Sequence, residues 1–287
     1  MAKDDKTSAL DAFRRRIDEV DDGLHDLLMR RTELVGEVGR VKARDRATPF
    51  RPGREAQVLR RLVARHRGRF PAAALVRIWR EIMGGAVAVQ GGVSVAVCEG
   101  CWDLARDHFG SQTPLLALAD ADETVQAVAE GSATLGVVPL GGDDDPDPWW
   151  CKLAAPAPER PSVIARLPFG ALGNGASGYA DAFVVALMEP EASGEDCTLL
   201  AAETDAALGY ATLTDAFLAA RLGVNSIARA ARGRKVVQLL EIEALVIPGD
   251  PRLERALEAI GTAGRVTWLG AYARPLPDAA LGGVAPE

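Results

Sequence analysis

Long apolar runs are missing from this 287-residue chain. No stretch of about eighteen consecutive apolar residues occurs, so no segment is expected to span a membrane. The opening MAKDDKTS lacks the apolar core of a secretory signal. Cysteine is scarce: four residues at uneven spacing argue against a disulfide framework and make a reducing cytoplasm the expected setting. Histidine is scarcer, with three scattered copies, no Ser/His/Asp arrangement and no spacing that suggests a metal site. Nucleophilic and metal chemistry are therefore not what the sequence points to.

What the chain does have is 48% apolar and 25% charged residues, the balance of a soluble globular protein of two or three domains. Its net charge of −7 hides a split. Residues 1–91 hold 20 Lys and Arg against 13 Asp and Glu, while the remainder holds 13 against 27. The basic segment also carries many acids and has no recognition-helix motif, so no nucleic-acid partner is expected.

From about Ser8 to Arg44 apolar residues recur at helical spacing: Leu10, Phe13, Ile17, Val20, Leu24, Leu27, Leu28, Leu34, Val35, Val38 and Val41. No Pro interrupts them, and Ser8 with Asp11 resembles a capping box. Such a helix spans roughly 55 Å, longer than a small domain is wide, so it needs a partner along its length. A homodimer is expected. Arg31 and Lys42 lie eleven positions apart, within roughly 20° of one another on the helix surface. Arg31 interrupts the apolar stripe, and a cation facing a core needs an anionic partner. Arg14 is turned roughly 100° away, so it suits a site on a partner rather than the one Arg31 and Lys42 share.

A loop with Pro49, Pro52 and Gly53 follows, then a helix from Arg54 to His66 and a third from Pro71 to about Gln90. The third helix's expected buried face is Leu75, Ile78, Trp79, Ile82, Met83, Ala86, Val87 and Val89, with a close helix approach at Gly84-Gly85. After Gly91-Gly92 the pattern changes to a βαβαβ unit: VSVAV, CWDLARDHF, PLLALA, ETVQAVAEG and TLGVVPL. The acidic GGDDDPDPWW breaks it, its paired Trp reading as a staple onto the sheet. SVIARL and DAFVVALM are further strands flanking GALGNGASG, and the last portion has a βαββαβ order, the ferredoxin-like sandwich. Cys98-Glu-Gly-Cys101 is a C-x-x-C at a helix start, where a thiolate is stabilised. It lacks the second Cys/His pair of a zinc site and is set aside as a catalytic centre.

The polar candidates of the helical third are Arg31, Lys42, Arg54, Glu55 and Gln90. Three cations, a carboxylate and an amide suit binding a small dianion and stabilising charge that develops on an oxygen. The pattern ArgArgArgIleAspGluValAsp, Arg31-x2-Leu34-Val-x2-Val38-Gly-x2-Lys42, Phe50-Arg-Pro-x-Arg54-Glu55 and Gln90 resembles the all-helical class of chorismate mutase over about residues 8–91. The resemblance implies an intertwined dimer, the Claisen rearrangement of chorismate to prephenate, and no cofactor. It also implies roles. Arg14 would bind a substrate carboxylate in the partner's site and Arg31 the other carboxylate. Lys42 and Gln90 would contact the ether oxygen, Glu55 would accept from the ring hydroxyl, and Arg54 would help to position it. Two departures stand out: Arg51 replaces an acid found in some members, and Ala86 replaces a Ser.

The remainder is similar to prephenate dehydratase in its first lobe and, from about Cys197 to Pro275, to an ACT-type domain ending in LeuGlyAlaTyr at 269–272. Where the dehydratase has Glu-Asn-Ser and Thr-Arg-Phe, this chain has Gly141-Gly142-Asp143 and Asp181-Ala182-Phe183, and too few residues for a second lobe. The expected organisation is an all-α mutase domain at 1–91, a degenerate, non-catalytic α/β dehydratase-like lobe at 92–190, an ACT-like domain at 191–275 and a tail at 276–287. An aromatic amino acid is the effector that the ACT likeness implies, although only Arg229-Ala-Ala-Arg232 stands where an effector motif would be. Bifunctional mutase–dehydratase and a non-catalytic regulatory partner with a mutase fold are the alternatives.

Overall fold

The computed structural model describes residues 2–42, 48–141, 148–154, 160–170, 178–205, 210–233, 235–261 and 264–282, without the side chains of 2–8, Lys42 and Arg232. The chain forms two compact units, Met1–Pro49 with Ala86–Gly92, and Phe50–Gly85 with Val93–Glu287.

The first unit is dominated by α1, Ala2–Lys42, one unbroken helix of 41 residues. It begins six residues before Ser8, so Ser8 and Asp11 lie inside the helix and do not cap it. Nothing in the sequence AKDDKT, which has no Pro or Gly, breaks a helix. Its apolar stripe stays in contact with solvent: Phe13 is 58% exposed, Leu24 61% and Val41 69%. Burial increases toward the helix's second half, at Arg31, Thr32, Val35, Gly36 and Gly39. The other segment of this unit closes α3, Ala72–Val89. The Gly91 and Gly92 N–H groups donate back to the Ala88 and Val87 carbonyls at 3.2 and 2.9 Å, a Schellman stop with Gly91 at positive φ. This stop leaves Gln90 as the last residue before the chain turns away.

In the second unit α2, Pro52–Arg65, opens with Pro in its first turn, where the missing N–H costs nothing. Its Ala56 and Leu59 pack with Val76 and Met83 of α3 and with Phe169, Ala273 and Leu281. Arg60 pins the helix: its guanidinium donates to Ser193 Oγ at 2.9 Å and to the Glu195 and Arg274 carbonyls at 2.7 and 2.8 Å. The buried face of α3 is narrower than the sequence pattern suggests. Val76, Arg80, Met83 and Val87 are buried, whereas Ile78 and Val89 are exposed. The expected close approach occurs at Gly84, where a Cβ would collide with the Phe109 carbonyl, and not at Gly85, which has open space.

The βαβαβ unit is β1 (Val95–Cys98), α4 (Trp102–Phe109), β2 (Leu115–Leu118), α5 (Ala121–Ala129) and β3 (Leu135–Pro139), with β1 parallel to both β2 and β3. After α6 (Trp149–Leu153), β4 (Ser162–Leu167) and β5 (Ala182–Ala186) form an antiparallel pair, and β5 joins β3. The βαββαβ portion is β6 (Asp196–Asp205), α7 (Tyr210–Ala219), β7 (Val224–Arg232), β8 (Lys235–Ile242), α8 (Pro251–Ile260) and β9 (Gly264–Ala273). All nine strands form one sheet in the order β2-β1-β3-β5-β4-β9-β6-β8-β7. The GALGNGASG stretch that separates β4 from β5 lies largely outside the described residues.

The two halves of the sheet meet at Val163 and Gly270, the pair that joins β4 to β9 in parallel. Gly270 has φ +150°, and a Cβ there would run into the Val163 backbone. The glycine of LeuGlyAlaTyr is thus required by close backbone approach. In β6, Leu200 and Ala202 face Leu213, Phe217, Leu253 and Ala256 of α7 and α8. Leu199 and Ala201, alternating with them, belong to a second core with Trp149, Trp150, Phe183 and Leu239. Burial on both faces explains why this strand reads as a continuous apolar run. The Trp pair is the staple expected: both rings are buried, and Trp149 Nε1 donates to the Pro139 carbonyl at 2.7 Å. Among the described residues no helix is long and apolar enough to cross a membrane.

Candidate active site

Four of the six candidate residues lie in the first unit. Arg14 projects from α1 into solvent and donates to Asp11 Oδ1 at 3.0 Å, one turn back. Arg31, seventeen residues on, is half-buried. Lys42 closes α1, and its side chain lies outside the described residues. Gln90 lies against α1 where Gly39 leaves room, since a Cβ at Gly39 would sit 2.9 Å from Gln90 Cγ. Gly39 is three residues before Lys42 and eight after Arg31, so the amide approaches α1 beside the part that carries both cations. Its Nε2 donates to the Ala86 carbonyl at 3.0 Å. Ala86 is the position at which some members of the resembled family carry Ser.

Arg54 and Glu55 belong to the second unit, on the first turn of α2. Arg54 is exposed and donates to Gln57 Oε1 at 3.2 Å. Glu55 is buried enough to need a counter-charge and has one in Arg80, whose Nη1 donates to Glu55 Oε2 at 2.8 Å. Their side chains are 13% and 6% exposed. The Arg80 guanidinium also lies over the Phe169 ring, 5.3 Å from its centroid. Burial pulls the Arg80 pKa down and the Glu55 carboxylate opposes it. Arg51, the other departure, pairs with Glu191.

Arg80 lies outside the set of residues expected from sequence, though its position carries a signal. It falls between Val76 and Met83 on the buried stripe of α3, a cation inside an apolar face just as Arg31 is. Beside it lies His108, buried and edge-on to Phe109 at 4.8 Å between ring centroids. Burial and the Arg80 charge push its pKa well below the ordinary 6.5, so its imidazole is neutral.

Residues 13–91 match a family model described as chorismate mutase type II. This segment is a chorismate mutase domain. All six candidate residues fall within it. The bifunctional chorismate mutase/prephenate dehydratase of Stutzerimonas stutzeri is 34% identical over 140 residues, covering 46% of this chain and 38% of that protein. Its counterpart in Pseudomonas aeruginosa is 33% identical over 149 residues, covering 49% of this chain and 40% of that one. The chain thus matches about two fifths of the length of these relatives. Among solved structures, prephenate dehydratase from Streptococcus mutans aligns over 63% of this chain and 97% of its own, at TM-score 0.43 and 17% identity. The mutase domain is followed in this chain by the α/β region described above.

Proposed function

We propose that this protein is a chorismate mutase that works as a homodimer and converts chorismate to prephenate without a cofactor. The observation that carries the proposal is the mutase domain at 13–91, with Arg14, Arg31, Lys42, Arg54, Glu55 and Gln90 all present within it. The reaction is unimolecular, so the site's work is to hold one reactive conformer and favour the charge of its transition state. Arg31 and the partner subunit's Arg14 bind the two carboxylates. Lys42 and Gln90 face the ether oxygen, on which negative charge grows as the C–O bond breaks. Glu55, oriented by Arg80, accepts from the ring hydroxyl, and Arg54 helps to position it. The exposed stripe of α1 supports the dimer, since contiguous apolar patches of this kind mark interfaces.

The region after the mutase domain serves in this reading as a non-catalytic, regulatory portion in a cytoplasmic enzyme. Its dehydratase-like lobe spans 92–190 and its ACT-like domain 191–275. The dehydratase's Thr-Arg-Phe position is occupied by Asp181-Ala182-Phe183, where Asp181 binds Arg166 at 3.4 Å and Phe183 is core. Gly142 and Asp143, at the other dehydratase motif, lie outside the described residues, as does the Arg232 side chain. An aromatic amino acid is the effector proposed for the βαββαβ portion, and calorimetry with Phe, Tyr and Trp tests it. The defining experiment incubates the purified chain with chorismate and assays prephenate and phenylpyruvate separately. Prephenate alone is expected. Phenylpyruvate would make the chain bifunctional, and neither product would leave a regulatory partner with a mutase fold.

A further inference from the structure

The turn Cys98-Glu99-Gly100-Cys101 is a motif that mutase chemistry leaves unused. Cys98 is the last residue of β1, and Cys101 is the residue before α4. The Cys101 N–H donates to the Cys98 carbonyl at 3.0 Å. That i to i+3 bond closes a β-turn, whose end Cα atoms lie less than about 7 Å apart. A disulfide needs a Cα separation of about 4.4–6.8 Å, so the turn holds the two cysteines within bridging reach. The Cys98 thiol donates within the turn, to the Glu99 carbonyl at 3.5 Å. Tyr179 covers the turn. Its N–H donates to the Gly100 carbonyl at 3.2 Å, and its ring lies against Gly100. Cys98 keeps 5% of its surface accessible and Cys101 none.

We propose that Cys98 and Cys101 form a redox-active dithiol that small hydroperoxides oxidise to an intramolecular disulfide, with Cys98 reacting first. The asymmetry of the pair supports this order. The hydrogen bond from Cys101 holds the Cys98 thiol below its ordinary range, against burial and the carboxylates of Asp120 and Glu99. The same bond, with burial, pushes the Cys101 thiol far up. Restricted access at Cys98 favours an oxidant as small as hydrogen peroxide over a bulky disulfide.

The chemistry balances in two steps. The Cys98 thiolate attacks one peroxide oxygen, the O–O bond breaks, and Cys98 becomes a sulfenic acid. The departing oxygen leaves as water or an alcohol, carrying the proton that Cys98 gave up. The Cys101 sulfur then attacks the Cys98 sulfur, the S–S bond forms and the S–O bond breaks. The sulfenic oxygen leaves as water with the Cys101 proton. The two sulfurs lose two electrons and the peroxide gains them.

The test treats the folded full chain with stoichiometric hydrogen peroxide, then alkylates it under denaturing conditions and maps the peptides by mass. Of the four cysteines, two are expected to stop reacting, joined as Cys98–Cys101, and dithiothreitol restores both. In Cys101→Ser, dimedone is expected to label Cys98 as the trapped sulfenic acid. Alkylation of all four after treatment overturns the proposal, as does a bridge that uses Cys151 or Cys197. Preferential dimedone labelling of Cys101 in Cys98→Ser overturns the proposed order. The wild-type map requires no variant to fold.

Discussion

Arg80→Met tests the electrostatic frame around Glu55. The substitution keeps a long side chain over Phe169 and removes the cation that the Glu55 carboxylate bonds at 2.8 Å. Both partners are largely shielded from water, so exposed ion pairs of marginal value are the wrong comparison. Removing one member of a buried pair leaves the other charged and desolvated, at a cost of about 3–5 kcal/mol. For a unit of about 230 residues that corresponds to a fall of roughly 6–10 °C in its midpoint. All five tryptophans belong to that unit, so tryptophan fluorescence on heating reads the transition directly. Adding Glu55→Gln removes the stranded charge, and the double variant is expected to regain most of the loss. Mutase activity should stay low in both variants, because Glu55 is then misplaced or absent as an acceptor. If Arg80→Met costs less than about 1 kcal/mol, in the range of an exposed pair, Glu55 is not a buried carboxylate held by Arg80.

Gly270→Ala is expected to cost on the order of 3 kcal/mol, combining overpacking against the Val163 backbone with a φ that L residues resist. An unchanged denaturation midpoint would mean that β4 and β9 do not meet there. His108 stays neutral in the folded chain while its unfolded pKa is near 6.5. The unfolded state therefore binds the extra proton below that pH. The stability this group holds in full above pH 6.5 is lost as pH falls from there toward its lower folded value. His108→Phe should remove this contribution, so the stability difference between variant and wild type shifts in the variant's favour on acidification. A pH-independent difference would contradict a buried neutral His108. Ile17→Asp with Leu24→Asp places charges in the exposed stripe of α1, and should convert dimer to inactive monomer by sedimentation. A dimer of wild-type strength would put the interface elsewhere.

Much of this architecture was legible from local pattern. The α1 helix was readable because its apolar positions recur without a breaker. Its start lies before Ser8, which has capping chemistry but follows AKDDKT, a stretch with nothing to stop a helix. The strands were readable as short apolar runs between turns. The single sheet was not, because the β4–β9 joint depends on one long-range approach at Gly270 that no local window contains. In the candidate site, Arg31 and Lys42 announced themselves as cations on one helical face. Arg80 follows the same rule on α3, but its partner Glu55 is 25 residues away in sequence, on another helix. The pairing became visible only once α2 and α3 were packed. Gln90 was predicted as a site residue, yet its placement rests on the space at Gly39 and the glycine stop after it.

The central claim is that Lys42 and its companions rearrange chorismate, and the initial rate of prephenate formation by wild type and Lys42→Ala tests it most directly. Losing one preorganised charge at the breaking bond typically costs about 10²–10³ in rate. The account predicts prephenate from the wild type and a loss of at least that size in Lys42→Ala, with the fold intact by circular dichroism. A wild type that leaves chorismate unchanged, or a Lys42→Ala variant as fast as its parent, would contradict it.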